Sequence, residues 1–562
     1  MKNRLTINRT LAFALALALV CNFYATGQKT ATQATGPYGT VCDLGKMTRF
    51  YRNQPSLPGW WKCMANPPAF LMDKKISFPY MPRPYPKEIL FADHVTLVRF
   101  LGGWSPKHDP DYLSKDLAYR NKEGKIRYRW ELIPERMNQT LENGYKELTI
   151  VLDNTPWCFP LDPHEPEGEG YGQCAQPRDL DEWATFIEDL CRELAKRYGA
   201  ELANRWRFRL GTEAAGQNRF KGSEKEYEAF YVATARAVKR ALPGAQFGPY
   251  NRASGGDPMA LAALARRCAK EGIPFDFLCF STYNIAQMND NDKVKQVDPD
   301  EIAHTRIHPL YDSVVLALGE RIPCEIHEYG WFLKDEWGNG NSEMGARGAA
   351  GNFYYQFSLR REGIDRLYHW IMRDDTFENQ TPLIGGQGWL YSIYDHLVGK
   401  HVYELHTETA IIPDPAQRFK SIGFFDSGSS YVIATSYNMD RNVKKINAIT
   451  IYIPRALATG RTFSMVSLSD RNDPYVHLRE DFARMGMLTG KVADHPHVIG
   501  TIRQMAGPKG LAYVKENYPR YEKMMRNNLT LKKFTGTAVE EGDFLKLTLP
   551  VECPETVVIK IE

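Results

Sequence analysis

A chain of 562 residues is long for a single core, so one large domain with a smaller companion is the expectation. Its formal charge of +4 is spread without a basic stripe, which excludes the strong cationic field of a nucleic-acid binder or a membrane-surface protein. Aromatic residues reach 12% with eleven tryptophans, an amount that suits a large core and equally a surface for flat apolar ligand faces.

The chain opens MKNRLTINRTLAFALALALVCNFYATGQ: a basic start, an apolar run from Leu11 to Val20, then small residues around Ala25 and Gly27. Residues 1–27 are therefore expected to be a signal peptide, removed on export to the periplasm or the extracellular space. The apolar run is short against the roughly 20 residues of a membrane span. A lipid anchor on Cys21 is the alternative, although Val20 before it is bulkier than such sites carry. No later segment is apolar enough to span a membrane. Of ten cysteines, nine follow Cys21 without a CxxC pair, so no cysteine zinc site is expected. Disulfides between Cys158 and Cys174 or between Cys42 and Cys63 stay open for an exported protein. Residues 28–90, rich in proline and aromatics and without a clear period, form an N-terminal extension.

Over residues 91–400, strand-like runs alternate with amphipathic helical ones, as in a parallel sheet wound with helices. In chain order the strands are HVTLVRF, KELTIVLDN, WRFRLGTE, AQFGPYN, FDFLCFSTYN, IPCEIHEYG and DRLYHWIM. Seven such strands point to an α/β fold, a (β/α)8 TIM barrel with one strand undetected. The stretch LDEWATFIEDLCRELAKRYG carries Trp183, Phe186, Ile187, Leu190, Leu194 and Tyr198 at helical spacing, with Gly199 as a stop. EKEYEAFYVATARAVKRALPG repeats that layout, closed by Pro243 and Gly244. Over residues 401–562 the runs SYVIATSYN, INAITIYIP, RTFSMVSLS, FLKLTLP and TVVIKIE alternate at period two, the pattern of an antiparallel β-sandwich. A helical insertion over about Gly510 to Arg526 interrupts it.

Functional groups of a parallel barrel gather at the C-terminal ends of its strands, where the loops form a concave mouth. Two strands end there in carboxylic acids, Glu213 in LGTEAA and Glu328 in IHEYGW. A pair of acids is what glycosidic hydrolysis needs, about 5 Å apart for retention and roughly 6.5–9.5 Å apart for inversion. Glu325, deeper in its strand, is the rival to Glu328, and with Arg209 it is expected to form a structural charge pair inside the barrel.

The run RYGAELANRWRFRLGTEAA, followed by EYEAFYVATARAVKRALPGAQFGPYN, GIPFDFLCFSTYN and IPCEIHEYGWF, resembles glycoside hydrolase family 39 of the retaining barrel clan. YHWIMRDD and PLIGGQGWL are similar to that family's eighth strand and closing loop, so the resemblance runs from about Phe91 to Glu404. It implies that Glu213 is the general acid/base, expected to be held protonated by a less polar setting and by the charge of an ionised nucleophile, Glu328. It also exposes departures. Thr212 stands where the clan has an asparagine that bonds the sugar 2-hydroxyl, Ala214 stands for a proline, and Ser281 lies near the place of a histidine. Either another group supplies the 2-hydroxyl contact or the substrate differs at that carbon.

Around the two acids, Tyr283 is a candidate to donate to Glu328 and hold it ionised, with packing at the strand end as the equal alternative. Asn154 and Asn251 end strands where they can bond hydroxyls. Trp157, Trp331, Trp370 and Trp389 are candidates to stack on sugar rings, with core packing as the alternative for each. Arg99 meets either an anionic substituent or a barrel carboxylate. His327 lacks a second histidine at i+4, and the run Asp290, Asn291, Asp292 lacks the glycine and distal glutamate of a calcium loop, so no metal and no cofactor are expected. The expected partner is a carbohydrate, with oligomeric state open. The rival functions are a carbohydrate-binding protein that kept the barrel and lost catalysis, and a lyase.

Overall fold

The computed structural model describes residues 63–65 and 94–562, apart from residues 108, 143–145, 167–170, 216–218, 254–256, 258, 285–296, 334–340, 343, 370–382, 398–399, 412–415, 426–427, 439–445, 459–461, 491–492 and 494–498. Eight parallel strands form the first domain: β1 (Cys63–Ala65), β2 (His94–Leu97), β3 (Glu147–Leu152), β4 (Arg207–Thr212), β5 (Gln246–Asn251), β6 (Leu278–Ser281), β7 (Cys324–Tyr329) and β8 (Arg366–His369). Strands adjacent in sequence pair in space, and β8 returns to β1 with Tyr368 opposite Cys63. The seam between β5 and β6 closes one residue beyond β5, where the Arg252 N–H donates to the Cys279 carbonyl at 2.8 Å and the Ser281 N–H donates to the Arg252 carbonyl at 2.9 Å.

The strand not visible in the sequence is β1. Its three residues are too few to display a period, and it lies upstream of residue 91, within the segment read as an extension.

The helices follow their patterns closely. Asp179 caps Leu180–Tyr198 by accepting from the N–H groups of Asp181 and Glu182, and Gly199 at φ 93° ends the helix. Ser223 and Glu226 form a reciprocal capping box at the start of Glu224–Ala241.

Two antiparallel sheets form the second domain. One runs His401–Leu405, Gln417–Phe425, Ser430–Asn438, Glu555–Ile561, Phe463–Ser469, Lys532–Lys533, and the other Thr407–Thr409, Asn447–Pro454, Phe544–Val551, Thr537–Glu541. Their facing residues, Val432, Ile449, Ile451, Leu547, Leu549 and Ile559 among them, make a separate core, as a sandwich requires.

Helix Ala346–Arg361 is buried on every face over Ala346 to Arg360 because it lies between barrel and sandwich. Arg347 there donates to the Asn438 carbonyl at 2.7 Å. The helical insertion is larger than expected, comprising Pro474–Arg484 and Ile502–Asn527, and it folds back on the barrel. Tyr475 donates its hydroxyl to the Leu383 carbonyl at 2.9 Å. Cys158 and Cys174 are separate thiols, which removes that disulfide, while Cys42 lies outside the described residues. Among the described residues no helix is long and apolar enough to cross a membrane.

Candidate active site

At the mouth, the chain leaves β4 through left-handed backbone, Gly211 at φ 82° and Glu213 at φ 49°. Among the described residues, Arg99 (φ 55°) and Glu213 are the non-glycine residues with positive φ. Such backbone costs roughly 1–3 kcal/mol and persists only where its surroundings hold it. Both residues line one cavity of about 190 Å³ at the C-terminal ends of β2, β3 and β4, which Glu328 reaches from β7.

Asn251, the last residue of β5, ties the two acids together. Its Oδ1 accepts from the Glu213 N–H at 3.2 Å, and its Nδ2 donates to Glu328 Oε1 at 3.3 Å and to Ser281 Oγ at 2.6 Å. The Tyr283 hydroxyl donates to Glu328 Oε2 at 3.1 Å, so both oxygens of this carboxylate accept a hydrogen bond. Glu213 Oε2 accepts from Arg219 at 3.2 Å, and the Arg219 guanidinium lies over the Tyr171 ring, 3.1 Å from its centroid.

Glu328 is 6% exposed. Burial, and then the charge of Glu213, push its pKa up to about 7 against the pull of Arg209, Arg219 and the Tyr283 hydroxyl. Glu328, the acid expected to be ionised, is thus raised by its surroundings. The reason is depth: Glu328 lies in a strand buried at every residue.

Below the acids a polar network runs down the barrel. Asp153 accepts from the Arg99 N–H and the Thr212 hydroxyl, both at 2.6 Å, and Arg209 donates to Thr212 Oγ1 at 3.0 Å and bonds His327 Nδ1 at 3.0 Å. His327 Nε2 meets Glu325 at 2.8 Å, and Glu325 also pairs with Arg207 at 2.7 Å and Arg366 at 3.0 Å. The expected Arg209–Glu325 pair is therefore relayed through His327, and Arg207 holds the carboxylate. Two guanidiniums and the imidazole keep Glu325 ionised well below its ordinary range despite burial, and burial drives His327 down to about 3. Fully enclosed and triply bonded, Glu325 has no access to the cavity and ceases to be a rival nucleophile.

The other expected site residues divide. Arg99, Asn154, Thr212 and Tyr283 line the cavity, and Asn251 lies behind it. The Thr212 hydroxyl proton is taken by Asp153, and the Asn154 amide donates to the Tyr171 carbonyl, so both organise the wall. The tryptophans lie elsewhere. Trp157 bonds the Trp104 carbonyl through Nε1 at 3.0 Å and packs edge-on to Tyr112. Trp331 packs into the barrel–sandwich interface against Tyr437, and Trp389 donates to the Asn528 carbonyl at 2.7 Å, anchoring the end of the long helix. Trp370 falls outside the described residues. A tryptophan just past a strand end reads alike whether it faces the mouth or a second domain, and here interface packing took two of them.

Aromatic and charged walls come instead from Tyr171, Arg219 and Asp153. Asp153 was legible as the carboxylate of KELTIVLDN; Tyr171 and Arg219 carried no pattern. Asp116 is a third residue without a signal. Buried and raised to about 7 by that burial, it accepts from the Gly103 and Trp157 N–H groups at 2.7 Å and so joins the loops of the mouth. Gly103 and Gly172 permit the closest approach there: a Cβ on Gly172 would lie 2.0 Å from the Gly103 carbonyl oxygen.

The raised Glu328 has a measurable consequence. Its carboxylate form should accumulate as pH rises through about 7, and covalent labelling of that carboxylate by a small alkylating reagent should follow the same rise. In Glu213→Gln the like charge is gone, so the midpoint of labelling should move to lower pH. An unmoved midpoint means that the two carboxyls do not interact.

Residues 116–327 match the family described as Glycosyl hydrolases family 39. The alpha-1,4-L-rhamnosidase of Formosa agariphila is 23% identical over 318 residues, covering 54% of this chain and 63% of the relative, so this chain spans less than two thirds of that protein's length. Two solved structures share the fold. The GH39 enzyme from Xanthomonas axonopodis pv. citri has a TM-score of 0.62 at 13% identity, covering 90% of this chain and 96% of its own. A monomeric beta-xylosidase from Caulobacter crescentus CB15 has a TM-score of 0.62 at 16% identity, covering 90% and 97%.

Proposed function

On a chain that is glycoside hydrolase family 39-like, we propose a retaining glycosidase that cleaves an oligo- or polysaccharide by double displacement. The observation that carries this reading is one cavity walled by both strand-end glutamates, with Asn251 bonded to each. Glu328 attacks the anomeric carbon as the bond to the leaving oxygen breaks, and Glu213 gives that oxygen its proton. Water then attacks the same carbon, passes a proton to Glu213, and frees Glu328 from the sugar. Asn251 and Tyr283 aim the attacking carboxylate, and Glu213 has to carry a proton when the leaving oxygen arrives.

Export before cleavage is part of the same proposal, supported by the basic start and short apolar run of residues 1–27. The relatives act on rhamnosides and xylosides by name. Arg99 and Arg219 add two cations to the cavity wall, which fits a sugar carrying a carboxylate or sulfate, so uronides belong in the same panel.

A second reading exchanges the roles, with Glu213 beside Arg219 as nucleophile and Glu328, raised by burial, as acid. The test of the shared mechanism is proton magnetic resonance during hydrolysis of an aryl glycoside panel. The first anomer formed should keep the substrate's configuration. An inverted first product sinks double displacement, an unsaturated product means a lyase, and no turnover on any sugar leaves a binding protein.

A further inference from the structure

The stretch HTRIH places His304 and His308 four residues apart, the spacing that is missing around His327. It spans a five-residue π-helical turn, Ala303–Ile307, that opens into helix His308–Leu318, and residues four apart on helical backbone share a face. Single π turns are rare and gather at functional positions. The two imidazoles stand edge to face with centroids 5.2 Å apart.

A third group comes from another element. Glu362, the residue that closes helix Ala346–Arg361, brings Oε2 to 3.4 Å from His304 Nε2. One candidate ligand atom from each of the three side chains lies within 4.8 Å of the others. His308 supplies an independent sign. Its Nε2 meets the Glu362 backbone carbonyl at 3.1 Å, and since a carbonyl only accepts, that nitrogen carries the hydrogen and Nδ1 keeps its lone pair. Such a bond from the far ring nitrogen to a carbonyl is how metal-binding imidazoles are oriented.

We propose that His304, His308 and Glu362 form a binding site for a divalent transition metal, zinc by preference, with water as fourth ligand. Two imidazoles and a carboxylate with one open position is a known zinc donor set. Metal–ligand bonds of 2.0–2.2 Å set tetrahedral ligand atoms about 3.4 Å apart, and Glu362 Oε2 already stands 3.4 Å from His304 Nε2. His304 is 58% exposed at its side chain, so solvent can reach the site.

The opposing charge nearby is Arg361. Its Nε donates to Glu362 Oε1 at 3.0 Å, on the oxygen other than the one facing His304, and its Nη2 is shared with Asp300 at 2.9 Å. It weakens the cation's field without occupying the ligand oxygen.

Bound there, the ion staples two helices on either side of β7. Arg306, within the same π turn, donates to the Tyr283 carbonyl at 3.1 Å, so the staple also fixes the turn that backs the residue bonded to Glu328.

The experiment uses the full chain, stripped with a chelator and titrated with zinc chloride by calorimetry, with cobalt(II) as the visible probe. One ion per chain is expected, with tetrahedral cobalt absorption and a zinc-dependent rise in Tm. His304→Ala, at an exposed position, and the isosteric Glu362→Gln should each weaken binding about tenfold or more and lose the Tm response. Absence of stoichiometric uptake, or uptake and Tm response unchanged in both variants, overturns the site. Neither readout depends on glycosidase activity.

Discussion

Replacing Glu328 by alanine is expected to lower kcat on an activated aryl glycoside by about 10⁴-fold or more, the scale seen when the nucleophile of a covalent mechanism is removed. That factor corresponds to about 5 kcal/mol of transition-state stabilisation. The carboxylate accepts from Asn251 and Tyr283 and faces open cavity, so its loss leaves donors that water can reach, and a thermal melt should confirm the fold. Azide added to this variant enters the space of the missing carboxylate and attacks the anomeric carbon from the side opposite the leaving group. The product should be a glycosyl azide of configuration opposite to the substrate. A glycosyl azide of the substrate's own configuration would assign Glu328 to acid/base work and establish the exchanged roles.

Glu213→Ala should behave differently, because a general acid contributes in proportion to how badly the leaving group needs a proton. On an alkyl glycoside kcat should fall by about 10²–10⁴-fold. On a dinitrophenyl glycoside, whose leaving group departs unprotonated, formation of the glycosyl-enzyme should be little affected and its breakdown should become limiting. Azide then needs no base and attacks the intermediate, giving a glycosyl azide that keeps the substrate's configuration. Equal losses on both leaving groups, with no azide product, would remove Glu213 from the proton-transfer role. The contact from Arg219 at 3.2 Å has to open for this step, so Arg219 and Glu213 should be studied in the same variant series.

Much of the fold was written in local periods. Strand SYVIATSYN occupies Ser430–Asn438 as expected, although all its residues are buried and none alternates to solvent, and helix Leu180–Tyr198 stops at Gly199 because glycine readily takes the backbone found there. Strand β1 was illegible at three residues, since its place in the barrel depends on pairing with β2 and β8 and on no pattern of its own. The two acids were legible because a carboxylate ending a parallel strand is placed at the mouth by the fold itself. The partner of Glu325 was not. Arg207 and Arg209 both point into the barrel from β4, and which of them reaches across to β7 is set by strand tilt and stagger, quantities no segment of sequence contains.

The sequence by itself therefore determined the barrel, the sandwich and the positions of Glu213 and Glu328, because hydrophobic period and strand ends are properties of short segments. The tertiary structure decided everything that depends on how distant segments meet. It gave Glu213 to Arg219, raised Glu328 by burying it, turned Trp331 and Trp389 into interface packing, and brought Glu362 to His304 and His308. Direction past a strand end rests on single φ angles and on which loop closes over it, and those are fixed only when the whole chain is packed.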